Sequence, residues 1–386
     1  MKISWLLLGG MLMAGAALAD SPATPFSAAS SRIAWVHPPA GFLGLSLLNG
    51  ALRILTLGVY HFWGKTEVRQ RIWSAVRVDG EPLEYRGTGS ELFRGFLIVF
   101  FFILLPLGLI TFLVPLLWGT KAADRGILES LLWIVVFSLW GFGIHRARRY
   151  RLSRTRWRGI RAGLSGRSAP FAWTYLWTTV LIPVTLGWIL PWRAAKLQRV
   201  LFNETCFGDK AFAFTGRAGP LYKRFWLVWV SAIVLFGAVL AAIGGVLGPF
   251  FSFPGAGPPH MGTISREKIA AIVAIVFAAL LIFAMIRAWY SSRMFNYFAS
   301  ETTYQGSRFY LSTTVPSLVW LVASNYLIRT LSLTILSPIA EARATRYIVD
   351  RLSLDAPIEW QAVGQNPDAL LTSGEGLAEA FNVDAF

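Results

Sequence analysis

The apolar residues of this chain come in long uninterrupted runs, not in the short alternations that are typical of soluble folds. Four runs are long enough to cross the roughly 30 Å hydrocarbon core of a bilayer as a helix. They predict continuous transmembrane helices over residues 93–118, 127–145, 225–250 and 269–290. The first two and the last two are close in sequence, so each pair is expected to form a helical hairpin.

Three further apolar segments, 42–63, 170–192 and 316–338, carry a break near the middle. The break signals are Thr56-Leu57-Gly58, Pro183 with Thr185-Leu186-Gly187, and Ser332-Leu333-Thr334. Thr, Gly and Pro inside an apolar helix favour a kink or an interruption. Each segment either crosses the membrane as a broken helix or enters and leaves on one side. We favour the re-entrant arrangement, because the same break recurs three times beside a basic helix.

Each break is followed by a basic helix and then by a short alternating pattern that predicts a β-hairpin. Basic helices near the membrane interface are expected over residues 66–78 and 193–203. Two more basic stretches follow the two predicted hairpins of long helices, and the last of the five basic stretches lies near the C-terminus. The five predicted turns lie near Gly80, Gly159, Asp209, Gly306 and Ala356.

These modules match one another without gaps. Shifting residues 51–96 by 129 positions places Leu52 on Leu181, Trp63 on Trp192 and Phe96 on Phe225. Shifting residues 146–199 by 147 positions places Arg146 on Arg293, Tyr150 on Tyr297 and Trp173 on Trp320. Self-similarity of this kind indicates a repeat architecture. The predicted fold class is therefore mostly α: an integral membrane helical bundle with internal repeats, and small β-hairpins following the basic interfacial helices.

The two ends of the chain differ in composition from the repeats in its centre. Residues 1–19 are predicted to be a signal peptide or an N-terminal anchor, since an apolar core ends at Ala17-Leu18-Ala19. Residues 20–41 are expected to be a linker, and residues 42–361 the repeat-built membrane domain. An acidic tail over residues 362–386 is expected to be disordered.

The composition agrees with a multi-pass membrane protein. Apolar residues make up 55% and charged residues 15% of the 386 residues, and the mean hydropathy is +0.54, whereas soluble domains are about one quarter charged. The net charge of +16 comes from Lys and Arg beside the spans, where they orient the protein and attract anionic lipid. Membrane lipids with anionic headgroups are the expected partners. Nucleic acid is not, because no reader motif accompanies the charge.

Three stretches carry a family resemblance and cover most of residues 42–225. They are LTLGVYHFWGKTEVRQRIWSAVRVDGEPLEYRGTGSELFRGFL, RYRLSRTRWRGIRAGLSG and TLGWILPWRAAKLQRVLFNETCFGDKAFAFTGRAG. In these stretches the chain resembles the YjgN-like family of multi-pass bacterial inner-membrane proteins of unknown function. The resemblance implies an inner-membrane location and offers no catalytic residues to carry over. The chain departs from the family at its N-terminus, where such proteins usually lack a cleavable signal.

The residues themselves do not indicate an enzyme, a cofactor site or a metal site. The four histidines are His37, His61, His145 and His260, and no two have the spacing of a metal-binding helix. An interfacial role is expected for His61 and His145. Cys206 is the only cysteine, and we expect it to pack in a strand.

Polar residues inside the apolar segments are the sharper signal. Asn49 and Arg53 correspond to Asn325 and Arg329 under a shift of 276 positions, and each pair shares a helix face at i, i+4 spacing. The middle segment has Thr178 and Ile182 instead. A charge deep in a bilayer costs several kcal/mol unless it snorkels, pairs or meets water. The arginines either bond free carbonyls at the helix breaks or form a polar site for an anionic group, lipid phosphate included.

Two functions follow from these patterns. The first is a non-enzymatic role that is structural or lipid-contacting through the basic modules. The candidate headgroup contacts are Arg69, Arg71, Arg149, Arg151, Arg154, Arg156, Arg158, Arg161, Lys196 and Arg199. The alternative is a transporter or channel for a small anionic or lipid-like solute, with its polar site at Asn49, Arg53, Asn325 and Arg329.

Overall fold

The structure is a computed structural model that describes residues 33–118, 122–247 and 265–366. The helices are α1 (Leu43–Leu55), α2 (His61–Ala75), α3 (Gly89–Val99), α4 (Leu105–Trp118), α5 (Ala122–Arg154), α6 (Ser168–Val184), α7 (Leu190–Asn203), α8 (Gly219–Leu247), α9 (Arg266–Ser300), α10 (Val315–Leu331) and α11 (Ser337–Val349). The strands are β1 (Ile33–Trp35), β2 (Val76–Val78), β3 (Glu81–Pro82), β4 (Glu84–Tyr85), β5 (Thr155–Trp157), β6 (Ile160–Leu164), β7 (Thr205–Phe207), β8 (Lys210–Phe214), β9 (Thr302–Tyr304), β10 (Ser307–Leu311) and β11 (Leu352–Leu354). A π-helical segment, Phe100–Leu104, joins α3 to α4.

Within the described residues, three helices are long and apolar enough to cross a membrane. They cover Gly89–Val114, Gly219–Gly244 and Ile269–Ser300. These helices contain most of the predicted spans 93–118, 225–250 and 269–290, although residues 248–250 lie outside the described part. The remaining predicted span, 127–145, lies inside α5 and stays a prediction.

The strands form an antiparallel meander in which each strand pairs with its neighbours in sequence. One sheet has the order β1-β2-β3 and the other runs from β4 to β11 in sequence order. Only Leu83 separates β3 from β4. Its amide donates to the Val76 carbonyl, so the ladder is almost unbroken where the two sheets meet.

Tight two-residue turns connect the paired strands. At Asp79-Gly80, Arg158-Gly159 and Gln305-Gly306 both turn residues have positive φ. That conformation matches the right-handed twist of the flanking strands. The sequence did not predict that the separate hairpins join into sheets. At the last predicted turn, Ala356, β11 is followed within the described residues by a 3-10 helix, Trp360–Ala362, and not by a second strand.

The three break signals form helix-turn-helix connections with the same hydrogen bonds. In the first, the Thr56 hydroxyl donates to the Leu52 carbonyl at 2.7 Å and accepts from the Tyr60 amide at 2.9 Å. The amide of Gly58 donates to the Arg53 carbonyl at 2.7 Å. Thr185 and Ser332 make the corresponding contacts in the second and third turns. These bonds satisfy carbonyls that the end of a helix would otherwise leave open.

Each turn reverses the chain, so the two helices of a pair lie side by side. The Asn49 side chain donates to the Gly64 carbonyl at 3.3 Å. The corresponding contacts join Arg193 to Thr178 at 3.1 Å and Asn325 to the Ala340 carbonyl at 3.1 Å. Partners fifteen positions apart would be separated by roughly 22 Å in one straight helix. The pairs α1–α2, α6–α7 and α10–α11 are therefore helical hairpins.

Three segment boundaries differ from the sequence-based expectation. The helix predicted over residues 66–78 ends at Ala75, and residues 76–78 form β2 because the β-branched Val76 and Val78 pair with β1. Residues 33–35, predicted as linker, are that partner strand β1. Residues 362–366, predicted as disordered tail, are ordered, with Val363 and Asn366 buried. The predicted signal peptide or anchor, residues 1–19, lies outside the described residues.

Residues 355–366, which we term the C-terminal strap, cross from β11 back to the turns of the earlier hairpins. The Gly364 amide donates to the Asp209 carboxylate at 2.9 Å, and the Gln365 side chain donates to the Gly159 carbonyl at 3.0 Å. The ring of Trp360 packs against Trp157 at a centroid distance of 4.6 Å. The strap therefore ties the last strand to the turns of two preceding modules.

We expect Trp360→Ala to loosen the strap. The half-buried indole also contacts Phe207 and Tyr304, and its loss should cost about 2 kcal/mol, below the value for a fully buried tryptophan. Thermal unfolding of the purified protein and limited proteolysis measure the effect. Wild-type melting temperature and protease resistance would show that the strap is not fixed through Trp360.

Candidate functional site

A cavity of about 510 Å³ lies between the first and the last helical hairpin. Its lining includes three of the four predicted polar residues: Asn49 and Arg53 from α1, and Arg329 from α10. The fourth, Asn325, lies one turn before Arg329 on α10 and donates to the Ala340 carbonyl of α11. The structure thus brings together residues that are 276 positions apart in sequence.

Thr334 links the two hairpins at the cavity. The Arg53 guanidinium donates to the Thr334 hydroxyl at 3.1 Å, and the Thr334 amide donates to the Arg329 carbonyl at 2.7 Å. Thr334 adopts a φ of 68°, where the other two turns have Gly58 and Gly187. A β-branched residue in that region is strained. The third turn therefore accepts a backbone cost that glycine would avoid, and it places a hydroxyl on Arg53.

The polar groups of the cavity are only partly satisfied by the protein. The buried Nε of Arg329 has no hydrogen-bond partner among the described residues, and the same is true of the side-chain oxygens of Asn49 and Asn325. Arg53 has the neutral Thr334 hydroxyl as its side-chain partner. Buried donors and acceptors of this kind are rare unless a ligand or water meets them.

The lining is cationic overall and has apolar walls. Arg53, Lys65 and Arg329 contribute positive charge, and Glu341 contributes a carboxylate. The apolar side is formed by Phe62, Val68, Phe96, Ile335 and Pro338. A site of this composition fits an anionic group that is attached to an apolar body.

Close backbone approach shapes the cavity. A Cβ at Gly50 would lie 2.6 Å from the Cγ2 atom of Ile335, so α1 contacts the turn before α11 at a position that requires glycine. Gly64 has a similar role, since a Cβ there would lie 3.1 Å from the Asn49 side chain. The sequence carried a signal for this contact that the prediction missed: Gly50 and Thr334 both depart from the residues at the corresponding positions of the other hairpins.

The ten candidate headgroup contacts divide by exposure. Arg69 and Arg151 are buried; Arg69 donates to the Tyr85 hydroxyl and Arg151 to the Ala147 carbonyl. Their guanidinium groups serve contacts inside the protein. The exposed members are Arg158, Lys196 and Arg199, and the half-buried members are Arg71, Arg149, Arg154, Arg156 and Arg161. These eight are the ones whose positions allow contact with headgroups.

A second polar cluster was not predicted from the sequence. The ring of His145 is fully buried and bonds through Nδ1 to the Ser168 hydroxyl at 3.0 Å and through Nε2 to the Glu204 carboxylate at 2.9 Å. These residues come from α5, α6 and the end of α7, at separations of 23 and 59 positions. Short-range sequence patterns carry no signal for such a contact. The cluster fastens three elements where they meet the sheet.

Arg148 is buried beside this cluster. Its guanidinium donates to the Thr205 hydroxyl at 3.2 Å and lies over the Phe202 ring. Burial first, and then the neighbouring Arg151, lower the pKa of Arg148 to about 9. The group therefore stays protonated at neutral pH.

We expect Gly166→Ala to destabilise the protein, because a Cβ at Gly166 would overlap the Glu204 carboxylate. The carboxylate would have to move away from His145, at a cost of about 1–3 kcal/mol. Thermal unfolding measures this change. Gly219→Ala is the matched control, since no atom lies within 4 Å of a Cβ there; equal stability of the two variants would contradict the prediction.

Among the described residues, no group of three His, Cys, Asp or Glu side chains is placed to hold a metal ion. Cys206 lies in β7 and is half-buried. It accepts a hydrogen bond from the Asn366 side chain at 3.3 Å.

Comparisons with known proteins identify the family. Residues 40–380 match the profile of bacterial protein of unknown function (DUF898). The inner membrane protein YjgN of Salmonella typhimurium (strain LT2) is 33% identical over 66 residues, 17% of each chain. The protein of the same name from Escherichia coli (strain K12) is 22% identical over 145 residues, 37% of this chain and 33% of the relative. The chain thus matches at most about a third of these relatives' length, and no solved structure matches. Because the profile covers most of its length, the chain belongs to the DUF898 family of bacterial proteins of unknown function, in agreement with its YjgN-like motifs.

Proposed function

We propose that this is an inner-membrane protein that displays five basic modules on the cytoplasmic face and contacts anionic lipid headgroups through them. In this proposal the role is structural and not enzymatic. The names of the relatives and the three apolar helices support the membrane location. The observation that carries the proposal is the meander of strands, because every module contributes at least one strand to it.

Strands that share a hydrogen-bonded ladder lie about 4.8 Å apart, so neighbours cannot stand on opposite sides of a bilayer. An open sheet inside the hydrocarbon would expose peptide groups to lipid, which is not tolerated. The strands therefore belong on one side of the membrane. Each stretch of helix between two strands then leaves and returns on that side.

The helical hairpins fit this arrangement. Helix α1 has 13 residues, a length of about 20 Å, which is too short to cross a bilayer core of about 30 Å. The turn of each hairpin exposes a leucine to its surroundings: Leu57 is 96%, Leu186 73% and Leu333 80% exposed. Three large apolar side chains exposed at equivalent tips are favourable when lipid surrounds them. We therefore favour re-entrant hairpins that dip into the membrane.

The charge distribution gives the side. Residues 191–224, which run from α7 through β7 and β8 to the start of α8, contain Arg193, Lys196, Arg199, Lys210, Arg217, Lys223 and Arg224. The connection between α8 and α9, residues 248–265, has no Lys or Arg. Short segments rich in Lys and Arg remain in the cytoplasm. The modules are accordingly assigned to the cytoplasmic face.

We also propose that the modules are internal repeats. The gapless sequence matches are joined by matching geometry: the three turns share their hydrogen bonds, and the three hairpins share a contact between residues fifteen positions apart. The sequence matches and the side-chain contacts recur at the same offsets, 129 and 276 positions.

A transporter of small anionic or lipid-like solutes is the second candidate. The cationic cavity at Arg53 and Arg329 favours it. Phosphate flux into proteoliposomes separates the two functions: the structural proposal expects the rate of protein-free liposomes. Flux that is lost in Arg53→Ile would establish the transporter instead.

The one-sided arrangement predicts where an engineered cysteine is accessible. In a Cys206→Ser background, Lys196→Cys on α7 should resist a membrane-impermeant thiol reagent in intact cells and react in inverted vesicles. Lys196 is exposed, so a lack of labelling in cells reports sidedness.

Ser265→Cys, an exposed residue just before α9, is the matched control. It should show the opposite result, with labelling in intact cells. If α6 and α7 crossed the membrane fully, the two positions would exchange their behaviour. Labelling of Lys196→Cys from the periplasm would therefore exclude the re-entrant arrangement.

A further inference from the structure

The cavity between the first and last hairpins carries a more specific inference, which rests on the lipid-contacting role proposed above. We propose that it binds a phosphate group, with the Arg53 and Arg329 guanidinium groups as the donors. The phosphate belongs either to a lipid headgroup or to a free phosphate ester. The apolar lining favours the lipid.

The two arginines have spare donor capacity. A guanidinium has five N–H groups in a planar fork, which matches the oxygens of a phosphate. Arg53 uses this fork for one neutral hydroxyl, and the buried Nε of Arg329 meets no acceptor among the described residues. Neither group forms an ion pair with a described carboxylate. An anion in the cavity would supply the acceptors that are missing.

The position of Arg53 is held by a strained residue. Thr334 has a φ of 68° where the corresponding turns have glycine, and its hydroxyl receives the Arg53 hydrogen bond at 3.1 Å. Backbone strain persists where the surrounding structure or a function requires it. Thr334 is therefore a positioning residue that fixes one phosphate donor relative to the other.

The middle hairpin provides a natural comparison. Ile182 corresponds to both Arg53 and Arg329, and Thr178 corresponds to both asparagines. The chain thus already contains a hairpin of the same geometry with isoleucine at that position of the first helix. For this reason Arg53→Ile and Arg329→Ile are expected to fold.

The ligand size also fits. A volume of about 510 Å³ lies within the range of small-molecule sites, roughly 300–1,000 Å³. It exceeds what one phosphate ion needs, and Phe62, Phe96 and Ile335 line the remainder. That remainder can hold the glycerol and the first methylenes of a lipid.

Binding to the full-length protein in neutral detergent tests the proposal. The probes are phosphatidylglycerol, phosphatidylcholine and inorganic phosphate, and the readouts are the thermal shift and the number of lipids retained in native mass spectrometry. We expect saturable binding of phosphatidylglycerol, weakened about tenfold or more in Arg53→Ile and in Arg329→Ile, because each variant removes a charge-assisted contact. Arg266→Gln, which removes an exposed charge at the start of α9 and outside the cavity lining, is the control and should bind like wild type.

Thr334→Gly separates positioning from stability. It relieves the positive φ, so the melting temperature without lipid should stay the same or rise, while affinity for phosphatidylglycerol falls. The double variant Arg53→Ile, Thr334→Gly should bind no more weakly than Arg53→Ile alone. A fall in both stability and affinity for Thr334→Gly would overturn the positioning role.

The measurements with phosphatidylglycerol and with inorganic phosphate together identify the source of the phosphate. Saturation by inorganic phosphate that depends on Arg53 would support the phosphate site and assign it to a free ester; an Arg53-dependent preference for the lipid assigns it to the headgroup. Equal losses in Arg53→Ile, Arg329→Ile and Arg266→Gln would overturn the site and leave only diffuse headgroup contact. No preference of the wild type for anionic lipid would overturn the proposed lipid-contacting function as well.

Discussion

The backbone ladder of the strand meander constrains everything else in this protein. Hydrogen bonds run from each strand to the next, from β4 through to β11, and connect segments that are separated in sequence by long apolar helices. A bilayer cannot pass between strands that are hydrogen-bonded to each other. In the arrangement proposed above, every intervening stretch of chain returns to the side from which it left. Long stretches do so as pairs of long helices, such as α8 and α9. Short ones do so by turning back after α1, α6 or α10.

If the hairpins dip into the membrane as proposed above, their turns solve a backbone problem inside an apolar environment. A helix that ends in lipid leaves carbonyl groups open, and each would cost several kcal/mol. The hydroxyls of Thr56, Thr185 and Ser332 and the amides near them close these groups in the same way. The leucine at each tip, Leu57 in the first, takes a left-handed conformation near +50°. Its backbone cost is of order 1 kcal/mol, which contact between its side chain and lipid can offset.

Much of the local structure could be predicted, because local rules determine it. The three breaks, the basic helices and the turns at Gly80 and Gly159 are encoded within a few residues, by two Thr-Leu-Gly triplets and one Ser-Leu-Thr triplet and by period-two alternation. The pairing of the hairpins into a sheet could not be predicted from local sequence patterns, because it joins β4 to β5, which are far apart in the chain. Residues 362–366 of the strap were assigned to the disordered tail because of their composition, and their contacts with Asp209 and Gly159 are long-range.

The candidate site shows the same division. The repeat offset identified Asn49 with Asn325 and Arg53 with Arg329, but it did not show that the two arginines share a cavity. That depends on the first and last hairpins meeting, which α1 achieves by placing Gly50 against Ile335. The cluster of His145, Ser168 and Glu204 was missed for a related reason. Its members come from three elements that only the folded chain brings together.

The middle hairpin explains why the cavity lies between the outer two. There the arginine is on the second helix: Arg193 donates to Thr178 at 3.1 Å and to Thr179 at 3.0 Å, and it lies over the Tyr175 ring at 4.5 Å. Its charge is buried and its donors are used within the hairpin. In the outer hairpins the second helix has Gly64 or Ala340 at that position, and the arginine is on the first helix, one turn before the break. The arginine on the second helix of the middle hairpin makes an internal contact. The arginines on the first helices of the outer hairpins instead face the cavity that these hairpins share. The middle hairpin thus satisfies its arginine internally, whereas the two outer hairpins place theirs beside a cavity that they share.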